Sequence, residues 1–458
     1  MMHRLDLLTL VTVLSVACTT ASVPNQKIIS GSNICYVSNS GICETTPNVT
    51  QYSGYATVGE DMHMWFWFFS ARQNPSTAPL VLYLEGGPGG ASEYGLFTQN
   101  GPCKFENEND TEPVFNPYSF NNFSNVLYLD NPIGTGFSYG SGTQVNNTKE
   151  AIPYVWNALQ IFLDEFEEYQ GREFGIFTES FGGRYGPELA NYILQQNHAV
   201  RVGSIEGKEI NLKALGLANA AVDTSIKERA NIEFAYKNEY RPLINESLHD
   251  ELLKFYEEEA RPALANCTAL GTREACYNAS RLYYRNIEGR IVQSATTLYD
   301  DFVPYDVRKN RTIPPMSHVA YLQREDVRVA LGAKVKYRDW GGGMSFLLDG
   351  DDARSSLSEL TIVVQAGINV VMYTGDADYV CNWLGTLQVA NAIEWSGQDA
   401  FKKQVLEPYN VDGQEVGTCK SVDNLTFVRV FGGGHNVMWY HPVTVLSILR
   451  QTTFGSLL

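Results

Sequence analysis

The chain has 458 residues, of which 44% are hydrophobic and 19% are charged. This composition excludes a mainly disordered chain, and the length allows one large domain or two to three ordinary ones. The net charge of −17 at pH 7 excludes a nucleic-acid partner, because no basic patch is present to neutralise phosphates. We interpret the negative charge as a solvated acidic surface.

The N-terminus predicts a secretory signal peptide over residues 1–21. Arg4 precedes an apolar stretch at 7–17, and the small residues 19–21 form a cleavage site. No other apolar run approaches the roughly 20 residues of a spanning helix, so we expect no membrane span. The mature chain is expected to be secreted or to reach an acidic vacuole. Asn-x-Ser/Thr sequons agree with this location. The predicted glycosylation sites are Asn48, Asn109, Asn122, Asn146, Asn245, Asn266, Asn278, Asn310 and Asn424.

The cysteines favour disulfides over metal binding. Eight cysteines include Cys18 in the predicted signal, which leaves seven and therefore an odd thiol in an oxidising compartment. No CxxC pair or histidine cluster has ligand spacing, so we predict no metal site. The expected pairs are Cys35 with Cys43, Cys267 with Cys276 and Cys103 with Cys419, which would leave Cys381 free.

Short apolar segments that end at glycine or proline predict strands in the first half of the chain, at residues 63–69, 80–84, 125–129 and 174–177. A helical pattern at 150–169 lies between the last two, and another follows at 187–195. Strands that alternate with helices predict an α/β fold with a mostly parallel central sheet.

After Asn219 the composition changes, and a charged, helix-prone region runs to about Pro315. Strand signals return at 368–373 and 425–431. We therefore predict a first part of the sheet domain at 22–222, a helical cap insertion at 223–315 and a second part of the sheet domain at 316–458.

Ser180 lies in a strand–turn–helix segment that fits a nucleophile elbow, with Gly182 and Gly183 just after it. Such a turn exposes the serine hydroxyl and aims the following amide at the same reaction centre. Thr178 replaces the first glycine of the usual G-x-S-x-G pattern. Taken alone, the segment fits a loop serine or a helix cap as well as a nucleophile.

Partners for Ser180 follow in the order Ser, Asp, His that α/β-hydrolases use. Asp376 and Asp378 come after the strand at 368–373, and His435 comes after the strand at 425–431. Functional groups gather where the strands of an α/β sheet end, so these residues predict a catalytic triad. The composition leaves Asp376 and Asp378 as alternatives, since either could cap the turn.

The strand at 80–84 runs into the loop Glu85-Gly-Gly-Pro-Gly-Gly90. A glycine backbone can bring bare N–H groups close to a substrate oxygen, as an oxyanion hole requires. An ordinary turn is the alternative for this loop.

Together these segments resemble those of the serine carboxypeptidase family. Within the family, the sequence looks most similar to the fungal secreted branch. Further stretches at 129–139, 321–327 and 381–385 also match, so the resemblance spans nearly the whole mature chain. It implies an α/β-hydrolase fold with helices on both faces of the sheet. It also implies that the C-termini of peptides and proteins are hydrolysed through an acyl-enzyme, without metal or organic cofactor.

The resemblance also implies the role of each site residue. Ser180 is the nucleophile, His435 the base and Asp378 the orienting acid, because the family uses the second aspartate of its Gly-Asp-x-Asp turn. The oxyanion hole would be formed by the N–H groups of Gly87 and Phe181.

The family recognises the free carboxylate of its substrate with a clamp, whose positions here hold Glu85, Gly86, Gln99 and Glu179. An asparagine of the family has become Glu85 and a glutamate has become Gln99, so an amide and an acid have exchanged places. Two ionised glutamates beside an anion would be costly, which predicts protonated glutamates and an acid pH optimum. The alternative is that Glu85 faces elsewhere and the clamp is broken.

A further departure follows His435, where Asn436-Val-Met-Trp439 replaces the Met-Val-Pro of the family and alters the leaving-group pocket. Two other functions stay open. An acyltransferase or esterase is favoured by the altered clamp, and a catalytically silent secreted relative is opposed by the presence of all three triad residue types. The sequence makes no prediction of oligomeric state.

Overall fold

The computed structural model describes residues 27–31 and 33–454. The predicted signal peptide and Cys18 lie outside these residues. The strands are β1 (Lys27–Ser30), β2 (Ile34–Ser38), β3 (Gln51–Gly59), β4 (Met62–Phe69), β5 (Leu80–Leu84), β6 (Cys103–Lys104), β7 (Val114–Phe115), β8 (Asn125–Leu129), β9 (Tyr139–Gly140), β10 (Glu173–Glu179), β11 (Asn211–Ala218), β12 (Asn369–Gly375), β13 (Glu407–Val411), β14 (Gln414–Val422) and β15 (Leu425–Val430).

One sheet contains thirteen of these strands, and β6 and β7 form a separate hairpin. Its centre is parallel, in the order β8-β5-β10-β11-β12-β15. Antiparallel strands flank this centre, with β1 to β4 on one side and β14 and β13 on the other. The prediction of a mostly parallel central sheet is confirmed.

The alternating side chains of the central strands separate two apolar layers. In β5, Leu80, Leu82 and Leu84 pack into one cluster, while Val81 and Tyr83 pack into the other. Successive side chains of a strand point to opposite faces, so both faces of the sheet are buried. This explains why the central strands read as short continuous apolar runs in the sequence.

Helices cover both faces, as predicted. Helices α2, α3 and α12 contribute to the first apolar layer, and α16 contributes to the second. None of the helices in the described part of the chain is long and apolar enough to cross a membrane. The α-helices are α1 (Ser92–Gly95), α2 (Thr148–Glu165), α3 (Gly182–Arg201), α4 (Thr224–Tyr236), α5 (Glu246–Phe255), α6 (Arg261–Leu270), α7 (Arg273–Tyr283), α8 (Gly289–Leu298), α9 (Ser317–Gln323), α10 (Glu325–Leu331), α11 (Met344–Asp349), α12 (Leu357–Gln365), α13 (Trp383–Ala392), α14 (Gln398–Lys403), α15 (Val437–Tyr440) and α16 (Pro442–Phe454).

The helices α4 to α8 lie between β11 and β12 and pack around an apolar cluster of their own, which includes Leu252 and Ile291. Side-chain caps begin several of them; the Asn245 side chain, for example, accepts a hydrogen bond from the N–H of Leu248 at the start of α5. These helices occupy the region in which we predicted the cap. The boundaries at 22–222, 223–315 and 316–458 stay a prediction.

The disulfides agree only partly with the sequence analysis. The pair Cys267–Cys276 is confirmed. The pairs Cys35–Cys43 and Cys103–Cys419 are wrong, because Cys43 is bonded to Cys103 across 60 residues. The fold brings together two segments that sequence spacing had separated, since Cys103 lies in β6, well after the loop that holds Cys43. Cys381 is a buried free thiol, as expected, and so is Cys419.

The nine sequon asparagines differ in their exposure. Six are exposed, at positions 48, 109, 245, 266, 278 and 310, whereas Asn122, Asn146 and Asn424 are partly buried. The Asn122 amide nitrogen donates to the carbonyl of Pro117, and that of Asn424 donates to the carbonyls of Val364 and Ile368. A glycan on the Asn424 nitrogen would leave a single N–H and would therefore displace one of its two bonds.

Candidate active site

Ser180 lies at the sharp turn between β10 and α3. Its φ of +60° is in the left-handed region that a serine rarely adopts. Three backbone hydrogen bonds hold this geometry: its N–H donates to the Ala218 carbonyl at 3.0 Å, and its carbonyl accepts from the N–H groups of Gly183 and Ala221, both at 2.9 Å. The strained turn is therefore fixed by the neighbouring strand β11 and the loop after it.

The glycine loop after β5 lies directly on this turn. A Cβ on Gly86 would come within 2.4 Å of the Glu179 carbonyl and 2.8 Å of the Ser180 Cβ, so only glycine fits there. The unexpected Thr178 is accommodated at the base of the turn, where its hydroxyl donates to the Gly182 carbonyl at 2.8 Å. The threonine thus contributes a hydrogen bond to the elbow.

His435 is paired with Asp378, which follows β12. The distance from His435 Nδ1 to Asp378 Oδ2 is 2.7 Å. The carboxylate also accepts from the N–H groups of Val380 (2.9 Å) and Cys381 (3.2 Å) and from the side-chain amide of Asn219 (2.8 Å). With its Nδ1 side held in this way, His435 has its Nε2 left for another partner.

Asp376, the alternative to Asp378, is committed elsewhere. One of its oxygens accepts from the N–H of Gly432 at 2.8 Å and from the hydroxyl of Tyr240, and the other pairs with Arg429 at 3.0 Å. It fastens the end of β12 to the end of β15. Only Asp378, of the two, contacts His435.

Ser180 and His435 line one cavity of about 530 Å³. Gly87 and Phe181, the expected oxyanion-hole residues, line it as well. Neither of their N–H groups has a hydrogen-bond acceptor among the described residues. The arrangement can therefore offer a nucleophile, a base and two unpaired backbone donors to one bound molecule.

The charge of His435 depends on the acids around it. Burial alone would lower its pKa, but the charge and hydrogen bond of Asp378, together with Glu179 and Glu85, outweigh burial and raise the pKa to about 9. A neutral His435 is thus easier to form when the two glutamates are themselves neutral.

Glu85 and Glu179 form an acidic wall of the same cavity, and both are almost fully buried, with exposed fractions of 4% and 2%. Burial raises the pKa of Glu85 to about 7, against the opposing hydrogen bonds from the Gly86 N–H at 3.0 Å and the Tyr83 hydroxyl at 2.9 Å. Burial and the charge of Glu85 raise the pKa of Glu179 well above its usual value. Glu85 thus lines the cavity with both of its carboxyl oxygens held by hydrogen bonds from Tyr83 and Gly86.

The other two clamp positions do not line the cavity. The Gly86 N–H is occupied by the Glu85 carboxyl at 3.0 Å. Gln99 is buried beside Glu179, where its amide counteracts the rise in the pKa of that carboxyl. Its amide nitrogen has no partner with full hydrogen-bond geometry in the part of the chain that the structure describes.

Asp378, Cys381 and His435 also offer potential metal ligand atoms within 4.8 Å of one another. Burial and the charge of Asp378 raise the pKa of the Cys381 thiol far above its usual value, so it stays protonated. Asp378 Oδ2 and His435 Nδ1 are already hydrogen-bonded to each other at 2.7 Å. This chemistry favours the hydrogen-bonded pair over a metal site.

Several residues of the site were missed by the sequence analysis. Asn219 follows β11 directly, so the rule that functional groups gather at strand ends could have found it. Tyr83 and Tyr94 carry no such signal, because a tyrosine in an apolar segment reads as core. Asn436 was noted only as a departure from the family, whereas its amide donates to Glu179 Oε1 at 2.8 Å.

The chain is similar to known proteins of one family. A family profile for serine carboxypeptidases matches residues 41–455. The chain is 48% identical over 420 residues to carboxypeptidase S1 of Penicillium janthinellum, an alignment that covers 91% of this chain and 98% of the relative. It is 33% identical over 419 residues to carboxypeptidase Y of Schizosaccharomyces pombe, covering 89% of this chain and 41% of that relative.

A solved structure is similar in fold. The prohormone-processing carboxypeptidase Kex1 of Saccharomyces cerevisiae superposes with a TM-score of 0.72 at 20% identity, over 88% of this chain and 91% of that one. At this identity the likeness concerns the fold, and it confirms the predicted α/β-hydrolase fold.

Proposed function

This chain belongs to the serine carboxypeptidase family, and from that premise we propose that it hydrolyses the C-terminal peptide bond of peptides and proteins through an acyl-enzyme. The observation that carries the proposal is the single cavity in which Ser180 and the Asp378-paired His435 face two buried glutamates. A triad alone would serve any acyl transfer, but buried, protonatable carboxyls beside it suit a substrate that carries a free carboxylate.

In the proposed reaction His435 Nε2 takes the proton of the Ser180 hydroxyl as the oxygen attacks the last peptide carbonyl. Asp378 holds the imidazole in the tautomer with the proton on Nδ1 and stabilises the imidazolium that forms. His435 then donates its proton to the departing amino group, which releases the C-terminal amino acid. Water, activated by the same histidine, hydrolyses the acyl-enzyme.

The N–H groups of Gly87 and Phe181 are proposed to stabilise the oxyanion of the tetrahedral intermediates. Two observations support this role. Both residues line the cavity beside Ser180, and neither N–H has an acceptor within the described residues. Donors already in place cost little reorganisation when the negative charge develops.

We propose that Glu85 and Glu179 bind the substrate carboxylate in their protonated forms, with Gly86 and Gln99 as supporting residues of the clamp. A protonated carboxyl donates a hydrogen bond to an anion, whereas an ionised one repels it. The raised pKa values of both groups make the protonated form available at mildly acidic pH. The Gly86 N–H can join the clamp if Glu85 releases it on substrate binding.

An acid pH optimum follows from the same groups. Below about pH 7 Glu85 gains a proton, so carboxylate binding strengthens as the pH falls. Loss of the glutamate charges also removes two of the causes that raise the pKa of His435, which favours the neutral base. The protein is accordingly proposed to act outside the cell or in an acidic vacuole, with glycans on the six exposed sequon asparagines.

The test is release of the last amino acid from a blocked dipeptide, compared with the same dipeptide amidated at its C-terminus, between pH 4 and 7. We expect preference for the free acid, strongest at low pH and absent in Ser180→Ala. Equal turnover of acid and amide would instead indicate an esterase or acyltransferase. Turnover of neither, together with no labelling of Ser180 by an organophosphonate probe, would indicate a silent relative.

A further inference from the structure

Asn436, the residue after His435, joins two side chains of the acidic wall. The Tyr94 hydroxyl donates to Asn436 Oδ1 at 3.0 Å, and Asn436 Nδ2 donates to Glu179 Oε1 at 2.8 Å. All three residues line the active-site cavity, and Asn436 is buried. Tyr94 follows the glycine loop, Glu179 ends β10 and Asn436 precedes α15, so this short chain of bonds ties three separate segments together.

The structure places the amide oxygen of Asn436 towards the Tyr94 hydroxyl and the amide nitrogen towards Glu179. A side-chain amide has one oxygen that accepts and one nitrogen that donates. Because the hydroxyl of Tyr94 donates to the oxygen, the nitrogen must face Glu179. Glu179 Oε1 is then the acceptor of this pair, and a proton on the Glu179 carboxyl is directed to Oε2.

We propose that Asn436 is a positioning residue for substrate recognition: it holds Glu179 so that Oε2 carries the proton and donates it to the C-terminal carboxylate of the substrate. This inference rests on the proposed carboxypeptidase function and assigns a role to a residue outside the expected clamp. It also gives the acidic wall an amide donor, Asn436, although position 85 holds a glutamate where the family has an asparagine.

The neighbourhood of Glu179 makes such positioning necessary. Glu85 and Asp378 add negative charge, His435 can add positive charge, and three tyrosine hydroxyls lie nearby. A carboxyl that is surrounded by so many titratable groups can carry its proton on either oxygen. Because the oriented amide of Asn436 donates to Oε1, the proton is left to Oε2. The titratable groups that face Glu179 are Glu85, Tyr83, Tyr94, Tyr373, Asp378 and His435.

The test compares Asn436→Leu and Asn436→Asp with the unmodified enzyme, using the blocked dipeptide as free acid and as amide from pH 4 to 7. The readout is the acid-over-amide ratio of kcat/KM, which a general loss of folding or catalysis leaves unchanged. We expect Asn436→Leu to lower this ratio about tenfold or more at every pH, mainly through KM for the acid.

Asn436→Asp should behave differently, because its carboxyl can donate to Glu179 only when protonated. We expect its ratio to be low near pH 7 and to recover towards that of the unmodified enzyme as the pH falls to 4. Tyr94→Phe, which removes only the hydroxyl that orients the amide, should lower the ratio by a smaller factor than Asn436→Leu.

An unchanged ratio in Asn436→Leu across the pH range would overturn the positioning role. So would identical pH profiles for the Leu and Asp variants, since a purely structural role has no reason to follow the protonation of residue 436. If the unmodified enzyme itself shows no preference for the free acid, the proposed function has failed instead. Rates of organophosphonate labelling at Ser180 report separately whether the triad is intact in each variant.

Discussion

The active-site cavity has two walls that are held in different ways. On the side of the proposed triad, Ser180 and the buried Asp378 that pairs with His435 are fixed largely by backbone hydrogen bonds, such as the two N–H groups that donate to Asp378. Glu85, Glu179 and Asn436, on the acidic side, are fixed largely by other side chains, including the hydroxyls of Tyr83 and Tyr94. The positions of Ser180 and Asp378 are therefore set by the backbone fold, whereas the geometry of the acidic wall depends on a few side chains that a substitution could change.

The two walls also make linked demands on pH. In the proposed reaction the catalytic wall needs a neutral His435, and the acidic wall needs neutral glutamates to bind an anion. Each charge favours the other, because the glutamate charges raise the pKa of His435 and a charged His435 stabilises ionised glutamates. Protonating the glutamates meets the demand of the acidic wall and removes two of the charges that raise the pKa of His435.

The largest expected effect comes from the catalytic wall. Ser180→Ala removes the nucleophile and should lower kcat by about 10⁴–10⁶-fold, as loss of a triad serine does elsewhere. Steady-state rates and labelling by an organophosphonate probe measure it. The exposed Ser204→Ala is the matched control and should keep both the rate and the labelling. Comparable activity in Ser180→Ala would place the chemistry elsewhere.

The next largest effect distinguishes the roles of Asp378 and Asp376. Asp378→Asn disturbs the tautomer of His435 and should lower kcat about 10⁴-fold with little loss of stability. Asp376→Asn breaks the ion pair with Arg429 and should act mainly on the melting temperature. Kinetics and thermal unfolding of both variants provide the comparison. The reverse pattern would contradict the pairing of Asp378 with His435.

On the acidic wall, Glu85→Gln should extend activity to higher pH. The amide keeps a hydrogen-bond donor at every pH, and the Tyr83 hydroxyl, which now donates to Glu85, can turn to accept from it. We expect KM for the free-acid dipeptide at about pH 7.5 to fall roughly tenfold relative to the unmodified enzyme. A KM that rises with pH as steeply as before would show that Glu85 does not set the pH dependence.

A smaller effect concerns the acids behind this wall. Glu93 accepts from the Trp65 indole at 2.7 Å, and Asp130 accepts from the N–H groups of Ser92 and Phe137 at 2.9 and 2.8 Å. Ser92 in turn contacts Glu85, because the N–H of Glu85 donates to its hydroxyl at 3.2 Å. Burial raises the pKa of Asp130 to about 6 and that of Glu93 well above its usual value.

The pKa values of both acids are higher in the folded state than in the unfolded state. The folded protein therefore binds more protons than the unfolded protein above about pH 4. Stability should therefore fall as the pH rises through about 4–7. Glu93→Gln removes the contribution of one of these protons and should reduce the fall in melting temperature between pH 5 and 7.5 by about 1–3 °C. An unchanged slope would mean that Glu93 is ionised in the folded protein.

The contrast between the walls also explains what the sequence could predict. The strands at 80–84 and 125–129 match β5 and β8, the strands at 63–69 and 174–177 lie within β4 and β10, and the helix at 187–195 lies within α3. The strands among them are buried on both faces, and the helix is buried on one, which leaves clear apolar patterns. The flanking antiparallel strands β3 and β14 carry polar residues and glycines among their buried positions, so no such pattern predicted them.

The same reasoning applies to the site. Ser180, Asp378 and His435 follow strands, and strand ends converge at one edge of a parallel sheet, so their proximity could be inferred. Which aspartate pairs with His435 could be decided only from the family resemblance or from the structure, because Asp376 and Asp378 follow the same strand. The roles of Tyr94 and Asn436 depend on contacts between residues 342 positions apart, for which the sequence has no local signal.

The central claim is that protonated glutamates bind the substrate carboxylate while the triad performs the chemistry. The most direct measurement is the separate pH dependence of kcat and KM for a blocked free-acid dipeptide between pH 4 and 8. We predict that KM rises steeply above about pH 6–7, as Glu85 loses its proton. A KM that stays constant across this range, with the whole pH dependence in kcat, would contradict the claim.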